Sequence, residues 1–227
     1  MIFETRSQDF DAARARMVRE VDAMYAETRA ETGLAAMSPA VRAALGKVER
    51  HRLVPAQQVS AAYRNHPLSI GSGQTISQPY IVALSTDLLD PKPQDVVLEV
   101  GTGSGYQAAV LAEVVKQVYS IEVIESLGTT AAARLAELGY RNVEVRIGDG
   151  YQGWPDKAPF DGILVTAAAP QVPPALVAQL KTGGRMVIPV GGSDAVQYLK
   201  VLTKRADGGY DEKRVLPVRF VPLVPGK

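Results

Sequence analysis

Val96-Val97-Leu98-Glu99-Val100-Gly101-Thr102-Gly103-Ser104-Gly105 is the stretch that decides the fold of this 227-residue chain. Its first half is a short, mainly apolar run, which is typical of a central parallel strand covered on both faces. Three glycines follow at every second position, so the backbone can turn sharply and approach a ligand closely. The stretch therefore predicts a buried strand that runs into the loop of a nucleotide cofactor site.

The glycine spacing differs from the dinucleotide fingerprint G-x-G-x-x-G, because Tyr106 stands where the last glycine would be. Glu99 beside the loop also suits a cationic ligand better than a phosphate. Glu122 ends the next predicted strand, about 20 residues after Gly101, where an acid accepts hydrogen bonds from ribose hydroxyls. S-adenosylmethionine, with an adenosine, a sulfonium and an amino acid, fits these features. The alternative to a cofactor site is an ordinary glycine-rich turn between a strand and a helix. The acid at Glu122 argues against this alternative.

The composition limits the partners and the chemistry. The chain has 25 basic and 24 acidic residues, a formal charge of +1 and no long basic run, so nucleic acid is not an expected partner. No signal peptide or membrane span is predicted, and we expect a soluble, cytoplasmic protein, monomeric by default. There are no cysteines, and the two histidines, His51 and His66, lie in predicted loops. Thiol catalysis, disulfides and a metal site are therefore not expected.

The order of the predicted elements indicates a doubly wound, mostly parallel α/β sheet. Helices are predicted over residues 4–30, 39–48 and 55–63, and a connector over residues 65–78 leads to a helix over 79–89. From residue 96 strands and helices alternate, with strands predicted over 96–100, 118–123, 143–148, 161–167 and 185–190. Two further strands, 197–204 and 212–221, are joined by an Asp207–Gly209 hairpin turn and predict an antiparallel edge. We expect an N-terminal helical region and connector over residues 1–78 and an α/β core over residues 79–227, within one compact unit.

Five motifs occur in one order along the chain. They are Gly73–Pro79, Val97–Tyr106, Gly148–Gly150, Thr166–Pro170 and Phe220–Leu223. Together they are similar to the protein-L-isoaspartate O-methyltransferase family, over essentially everything from Val54 onward. The resemblance implies a class I, Rossmann-like methyltransferase that uses S-adenosylmethionine to methylate the carboxylate of L-isoaspartyl residues in damaged proteins. The ester then closes to a succinimide, which reopens in part as normal aspartate.

The resemblance also implies roles for individual residues. Glu122 would hold the ribose, and Asp149 with Gly150 would lie beside the adenine. The full set of implied cofactor residues is Glu99, Gly101, Thr102, Gly103, Ser104, Gly105, Glu122, Asp149, Gly150 and Thr166. The acceptor would meet Thr75, Ile76, Ser77 and Val54, with the Ser77 hydroxyl orienting the attacking carboxylate as the catalytic group.

Two of these assignments have structural alternatives. Asp149 and Gly150 form a common turn pair, and Ser77 precedes Pro79 and a helix, where serine is a favoured N-cap. No general base is required, since a carboxyl with a pKa of about 4 is already ionised at neutral pH.

The match weakens at Leu53, where the family has phenylalanine, and in residues 24–38, which are longer than in typical members. Two other functions therefore stay open: a methyltransferase for another acceptor, and a cofactor-binding module that has lost catalysis. The sequence does not decide the oligomeric state or which damaged proteins are repaired.

Overall fold

A computed structural model describes residues 2–192 and 195–226 of the chain. The N-terminal region is helical, as the sequence predicts, with α1 at Ile2–Glu27, a single turn α2 at Arg29–Thr32, and α3 at Pro39–Lys47. The start of α3 is explained by Ser38, whose side chain accepts a hydrogen bond of 3.2 Å from the backbone N–H of Val41. The helix predicted over residues 55–63 is instead a 3-10 helix over Ala56–Ala61, preceded by another over Arg50–Arg52.

The predicted connector contains a β-hairpin that the sequence reading missed. Its strands are β1, Leu68–Gly71, and β2, Gln74–Ile76, and they pair antiparallel. The turn between them has Gly71, Ser72 and Gly73 at positive φ. After the hairpin, α4 runs over Pro79–Leu89.

The main sheet has seven strands in the order β5-β4-β3-β6-β7-β8-β9, which confirms the predicted fold class. The first five strands in this order are mutually parallel, and β8 and β9 add an antiparallel edge. The strands are β3 (Val96–Val100), β4 (Gln117–Glu122), β5 (Val143–Ile147), β6 (Phe160–Val165), β7 (Leu180–Val190), β8 (Gln197–Lys204) and β9 (Tyr210–Val218), and the helices between them are α5 (Tyr106–Ala112), α6 (Glu125–Glu137) and α7 (Pro174–Gln179).

Two apolar clusters cover the two faces of the sheet. One contains Val97 and Val118 and joins residues of α1, α3, α4 and α5. The other contains Leu98 and Val100 of the same strand and packs against α7. The first cluster contains residues from both sides of position 78, so the N-terminal helices share a core with the sheet. The boundary between an N-terminal region and an α/β core at residue 78 stays a prediction.

Candidate active site

An open cleft lies where the strand order reverses. The chain passes from β3 outward to β4 and β5 and then returns to β6 on the other side of β3. In open α/β sheets, ligands bind at the carboxyl ends of the strands at such a point. The cleft is concave and lined by both backbone and side chains, as small-molecule sites are. Gly101 follows β3 and Thr166 follows β6, so both belong to this edge.

The glycine loop is shaped by contacts that leave no room for side chains. Gly101 has φ +99°, and a Cβ atom added there would lie 2.3 Å from Oγ1 of Thr166. The Gly101 N–H donates to the carbonyl of Ile121 at 2.8 Å, which fastens the loop to β4. Gly105 has φ +85° and caps the start of α5. Of the loop residues predicted to bind cofactor, Gly101, Thr102, Gly103 and Ser104 line the cleft, and Gly105 lies behind it.

Glu122 stands at the carboxyl end of β4 and lines the cleft. Its Oε2 accepts a hydrogen bond of 2.8 Å from the N–H of Gly103, and its Oε1 accepts one of 2.9 Å from the N–H of Ile124. A carboxylate has about four lone-pair sites, so two backbone bonds leave sites for further donors. The arrangement therefore orients the carboxylate and leaves it able to accept hydrogen bonds from a ligand with vicinal hydroxyls.

Glu99 is buried behind the glycine loop and is not among the residues that line the cleft. The hydroxyl of Ser120 donates a hydrogen bond to the Glu99 carboxyl and lies 2.6 Å from the hydroxyl of Thr102. Burial raises the pKa of Glu99 to about 8, opposed in part by the bond from Ser120. Glu99 therefore does not face the open cleft, and its part in cofactor binding stays a prediction.

The loop after β5 brings Gly150 to the cleft and leaves Asp149 outside the lining residues. Oδ1 of Asp149 accepts a hydrogen bond of 2.9 Å from the N–H of Tyr151. This bond closes a local turn, which is the structural alternative to a role of Asp149 beside the adenine. The hydroxyl of Tyr151 donates to the carbonyl of Leu223 at 3.1 Å, which connects this loop with the segment after β9.

The predicted acceptor side divides into two groups. Thr75, Ile76 and Ser77, at the end of the hairpin, line the cleft as expected. The N-cap position of α4 is Gln78 rather than Ser77, and the Gln78 side chain makes no capping hydrogen bond. Val54 is buried in the N-terminal core with 4% exposure and does not reach the cleft, and Leu53 is completely buried beside it.

Several cleft residues escaped the sequence reading, most of all the segment after β9. The Phe220–Leu223 motif marks this segment in the sequence, but only the family resemblance draws attention to it. Residues that line the cleft without having been predicted are Gln74, Val82, Val100, Tyr106, Gln107, Ile121, Val123, Ile124, Ala167, Val221, Pro222, Leu223 and Val224.

A second groove opens directly from the cleft. Thr75, Ser77, Thr166 and Val221 line both spaces, so they form the boundary between them. Beyond that boundary the groove is bordered by Pro67, Gln78, Ile81, Pro217, Val218, Arg219 and Phe220. The site thus has an enclosed half beside the glycine loop and an outer half beside the hairpin, and Ser77 lies where they meet.

Other catalytic chemistry finds little support in the described residues. Among the side chains of residues 10–192 and 195–226, no three of His, Asp or Glu gather into a group that could hold a metal ion. His51 stacks on Phe10 with ring centroids 4.1 Å apart, and its Nδ1 lies 2.8 Å from the hydroxyl of Tyr63. Within the same ranges, no helix combines the length and apolar character needed to cross a membrane.

Comparison with known proteins agrees with this geometry. The profile of the protein-L-isoaspartate(D-aspartate) O-methyltransferase family matches residues 21–227. The chain belongs to this family. Protein-L-isoaspartate O-methyltransferase 2 of Polaromonas sp. is 58% identical over 207 residues, 91% of this chain and 98% of the relative. Protein-L-isoaspartate O-methyltransferase 1 of Nitrosospira multiformis is 58% identical over 218 residues, 96% of this chain and 89% of the relative.

Solved structures of the family share the fold. One protein-L-isoaspartate O-methyltransferase superposes with a TM-score of 0.81 at 27% identity, over 92% of this chain and 65% of the other. A Plasmodium falciparum protein, solved in complex with S-adenosyl-L-homocysteine, superposes with a TM-score of 0.72 at 25% identity, over 89% of this chain and 98% of its own. The predicted family and fold class are thereby confirmed.

Proposed function

We propose that this chain transfers a methyl group from S-adenosylmethionine to the carboxylate of L-isoaspartyl residues in damaged proteins and peptides. The observation that carries the proposal is the continuity of the two halves of the site: a glycine-loop cleft and an outer groove meet at Ser77. Family membership supports the same activity.

The enclosed half fits the cofactor. Glu122, oriented by the N–H groups of Gly103 and Ile124, would hold the ribose hydroxyls. Gly101, Thr102, Gly103 and Ser104 line the cleft and would surround the methionine portion, because the absence of side chains at the glycines lets the backbone contact a ligand. Gly150 would lie beside the adenine, and Asp149 stays a proposed partner of its amine. Glu99, Gly105 and Thr166 would act from behind or beside the loop, by keeping its shape.

The outer half fits an extended peptide. Its border is largely apolar or uncharged apart from Arg219, and it runs from the hairpin side to the segment after β9. A peptide lying there presents a side-chain carboxylate to the boundary residues Thr75 and Ser77. We assign to the Ser77 hydroxyl the role of donating a hydrogen bond to one carboxylate oxygen, so that the other oxygen points into the cleft.

The chemistry asks for alignment rather than for an acid or a base. When bound, S-adenosylmethionine would supply a methyl group on a positively charged sulfur. The sulfur would leave as a neutral thioether as a carboxylate oxygen bonds to the methyl carbon. The substrate carboxylate, with a pKa of about 4, is already ionised at neutral pH. Holding two reactants in attack geometry lowers a barrier by as much as roughly 7–11 kcal/mol in the most favourable cases. The residues of this chain therefore contribute by binding, orienting and excluding water.

A labelled-methyl assay tests the proposal. The protein is incubated with labelled S-adenosylmethionine and an isoaspartyl peptide, with the aspartyl peptide of the same sequence as control. Base-labile label on the isoaspartyl peptide alone is the expected result. Label on neither peptide, with cofactor binding intact, would instead identify a methyltransferase for another acceptor or a module that only binds the cofactor.

A further inference from the structure

Two buried glutamines hold the two halves of the site from outside. Gln179 ends α7 and is 8% exposed, and Gln197 begins β8 and is 6% exposed. Neither is among the described residues that line the cleft. In each glutamine, the side-chain oxygen accepts a hydrogen bond and the side-chain nitrogen donates one, both with the backbone of a segment that lines the site.

Gln179 holds the loop after β5. Its Oε1 accepts a hydrogen bond of 2.7 Å from the N–H of Trp154, and its Nε2 donates one of 2.7 Å to the carbonyl of Gln152. The amide lies so close to the loop that a Cβ atom added to Gly153 would be 2.4 Å from its Oε1. The same loop brings Gly150 to the enclosed cleft. Gln179 thus sets the position of the loop on the cofactor side.

Gln197 holds the segment after β9 in the same way. Its Oε1 accepts a hydrogen bond of 2.6 Å from the N–H of Phe220, and its Nε2 donates one of 3.2 Å to the carbonyl of the same residue. Backbone pairing between β8 and β9 reaches Gln197 and Val218 and ends there. The side-chain amide therefore continues the ladder to Phe220, which borders the outer groove.

The neighbouring residues of that segment have a separate attachment. The N–H of Ala168 donates to the carbonyl of Val221, and the N–H of Leu223 donates to the carbonyl of Ala168, both at 2.8 Å. Loss of the Gln197 bonds would free Phe220 while these two bonds still hold the part that faces the cofactor. The effect of Gln197 is thus directed to the acceptor groove.

We propose that Gln179 and Gln197 are positioning residues with divided tasks, the first for the cofactor and the second for the peptide. The acceptor half of this inference rests on the proposed function. Both side chains are buried and make two bonds each, so a purely structural role would make each substitution affect cofactor binding and peptide KM together.

The test compares Gln179→Met with Gln197→Met, which keep the volume of the side chain and remove both hydrogen bonds. Calorimetry gives the dissociation constant for S-adenosylhomocysteine, and the methylation assay at saturating cofactor gives kcat and KM for the isoaspartyl peptide. We expect Gln197→Met to raise peptide KM about tenfold with the cofactor constant nearly unchanged, as for the loss of one to two net hydrogen bonds. Gln179→Met should weaken cofactor binding about tenfold and leave peptide KM nearly unchanged.

If a Met variant fails to fold, the corresponding Leu variant replaces it, because it also removes both hydrogen bonds and brings no buried charge; the same crossover is expected. Equal shifts of both constants in the two variants, or a crossover in the opposite sense, would overturn the inference. Wild-type protein that leaves the isoaspartyl peptide unmethylated would refute the proposed function and with it the acceptor half. If the wild-type protein methylates the peptide but the two variants show no crossover, the proposed function stands and only the division of tasks is refuted.

Discussion

The hydroxyl of Thr166 donates a hydrogen bond of 2.5 Å to the carbonyl oxygen of Gly101. The two residues follow neighbouring parallel strands, β3 and β6, so this bond ties the glycine loop to the adjacent strand end. The same approach leaves no space for a side chain at Gly101. The shape of the cofactor loop therefore depends on a contact between residues far apart in the chain.

Gly101→Ala should abolish cofactor binding. The new Cβ would lie 2.3 Å from the Thr166 hydroxyl, and φ of +99° is unfavourable for alanine. Gly139→Ala is the control, since Gly139 has φ +85° but open space around a Cβ. We expect the control to lose roughly 1–2 kcal/mol of stability and to bind normally. Equal cofactor affinity of the two variants by calorimetry would contradict the clash.

Glu122→Gln should weaken the binding of S-adenosylhomocysteine. The amide nitrogen would face a backbone N–H, either that of Gly103 or that of Ile124, and one bond would be lost. A loss of about 1–3 kcal/mol is expected, or roughly tenfold to a hundredfold in the dissociation constant. Glu125→Gln, on an exposed residue nearby, serves as the control. An unchanged dissociation constant for the first variant would remove Glu122 from the site.

Ser77→Ala should lower kcat for the isoaspartyl peptide by about a hundredfold, by analogy with the loss of one well-placed donor. Cofactor affinity and melting temperature should stay at wild-type values, because Ser77 is not the N-cap residue of α4. Ser69→Ala, on the exposed face of β1, is the matched control. A fall in melting temperature that parallels the fall in activity would point to a structural role.

The stability of the protein should depend on the ionisation of Glu99. Its pKa is about 8 in the fold against 4.5 ordinarily, so between these values the unfolded chain binds fewer protons than the folded one. Stability contributed by the neutral carboxyl is complete below pH 4.5 and is lost as pH rises to about 8. Glu99→Gln, which cannot ionise, should melt progressively higher than wild type as pH rises through this window. A difference in melting temperature independent of pH would show that Glu99 is charged in the fold.

Leu53→Phe introduces the residue that the family resemblance implies at this position and should cost stability without changing recognition of the peptide. Leu53 is completely buried in the N-terminal core and does not face the cleft. Overpacking a core in this way costs roughly 1–3 kcal/mol. Thermal unfolding and peptide KM are the two measurements, with Leu53→Met as the volume-conserving control. A changed peptide KM would place this position in substrate recognition after all.

The cofactor half of the site was the more predictable one. Gly101, Gly103 and Glu122 follow buried strands, and parallel strands place their carboxyl ends on one edge, so their proximity follows from local pattern alone. Glu99 shows the limit of this reasoning. A strand position does not tell which face of the sheet a side chain will occupy, and alternation along β3 puts Glu99 on the same side as Val97, inside the core.

The acceptor half depends on contacts that local pattern does not encode. The prolines and glycines of residues 65–78 predict a connector, although Leu68 and Ile70 alternate as in a strand with one buried face. Val54, which the family resemblance places on the substrate side, is buried in the core that the N-terminal helices share, so its contact with a substrate stays a prediction. The wall formed by the segment after β9 required the register of the antiparallel edge, which no short motif specifies.

That wall has a consequence for the order in which the site is built during synthesis. A ribosome that has just added Ala167 has already made the glycine loop, Glu122 and Thr166, yet Val221 and Leu223, which also line the cleft, do not exist. Chains are made from the amino end, and the strands that deliver these last residues, β8 and β9, must pair first. A nascent chain should therefore acquire full affinity for the cofactor only after its antiparallel edge has formed. The cofactor should then stabilise the complete fold and have little effect on the partly folded chains that come before it.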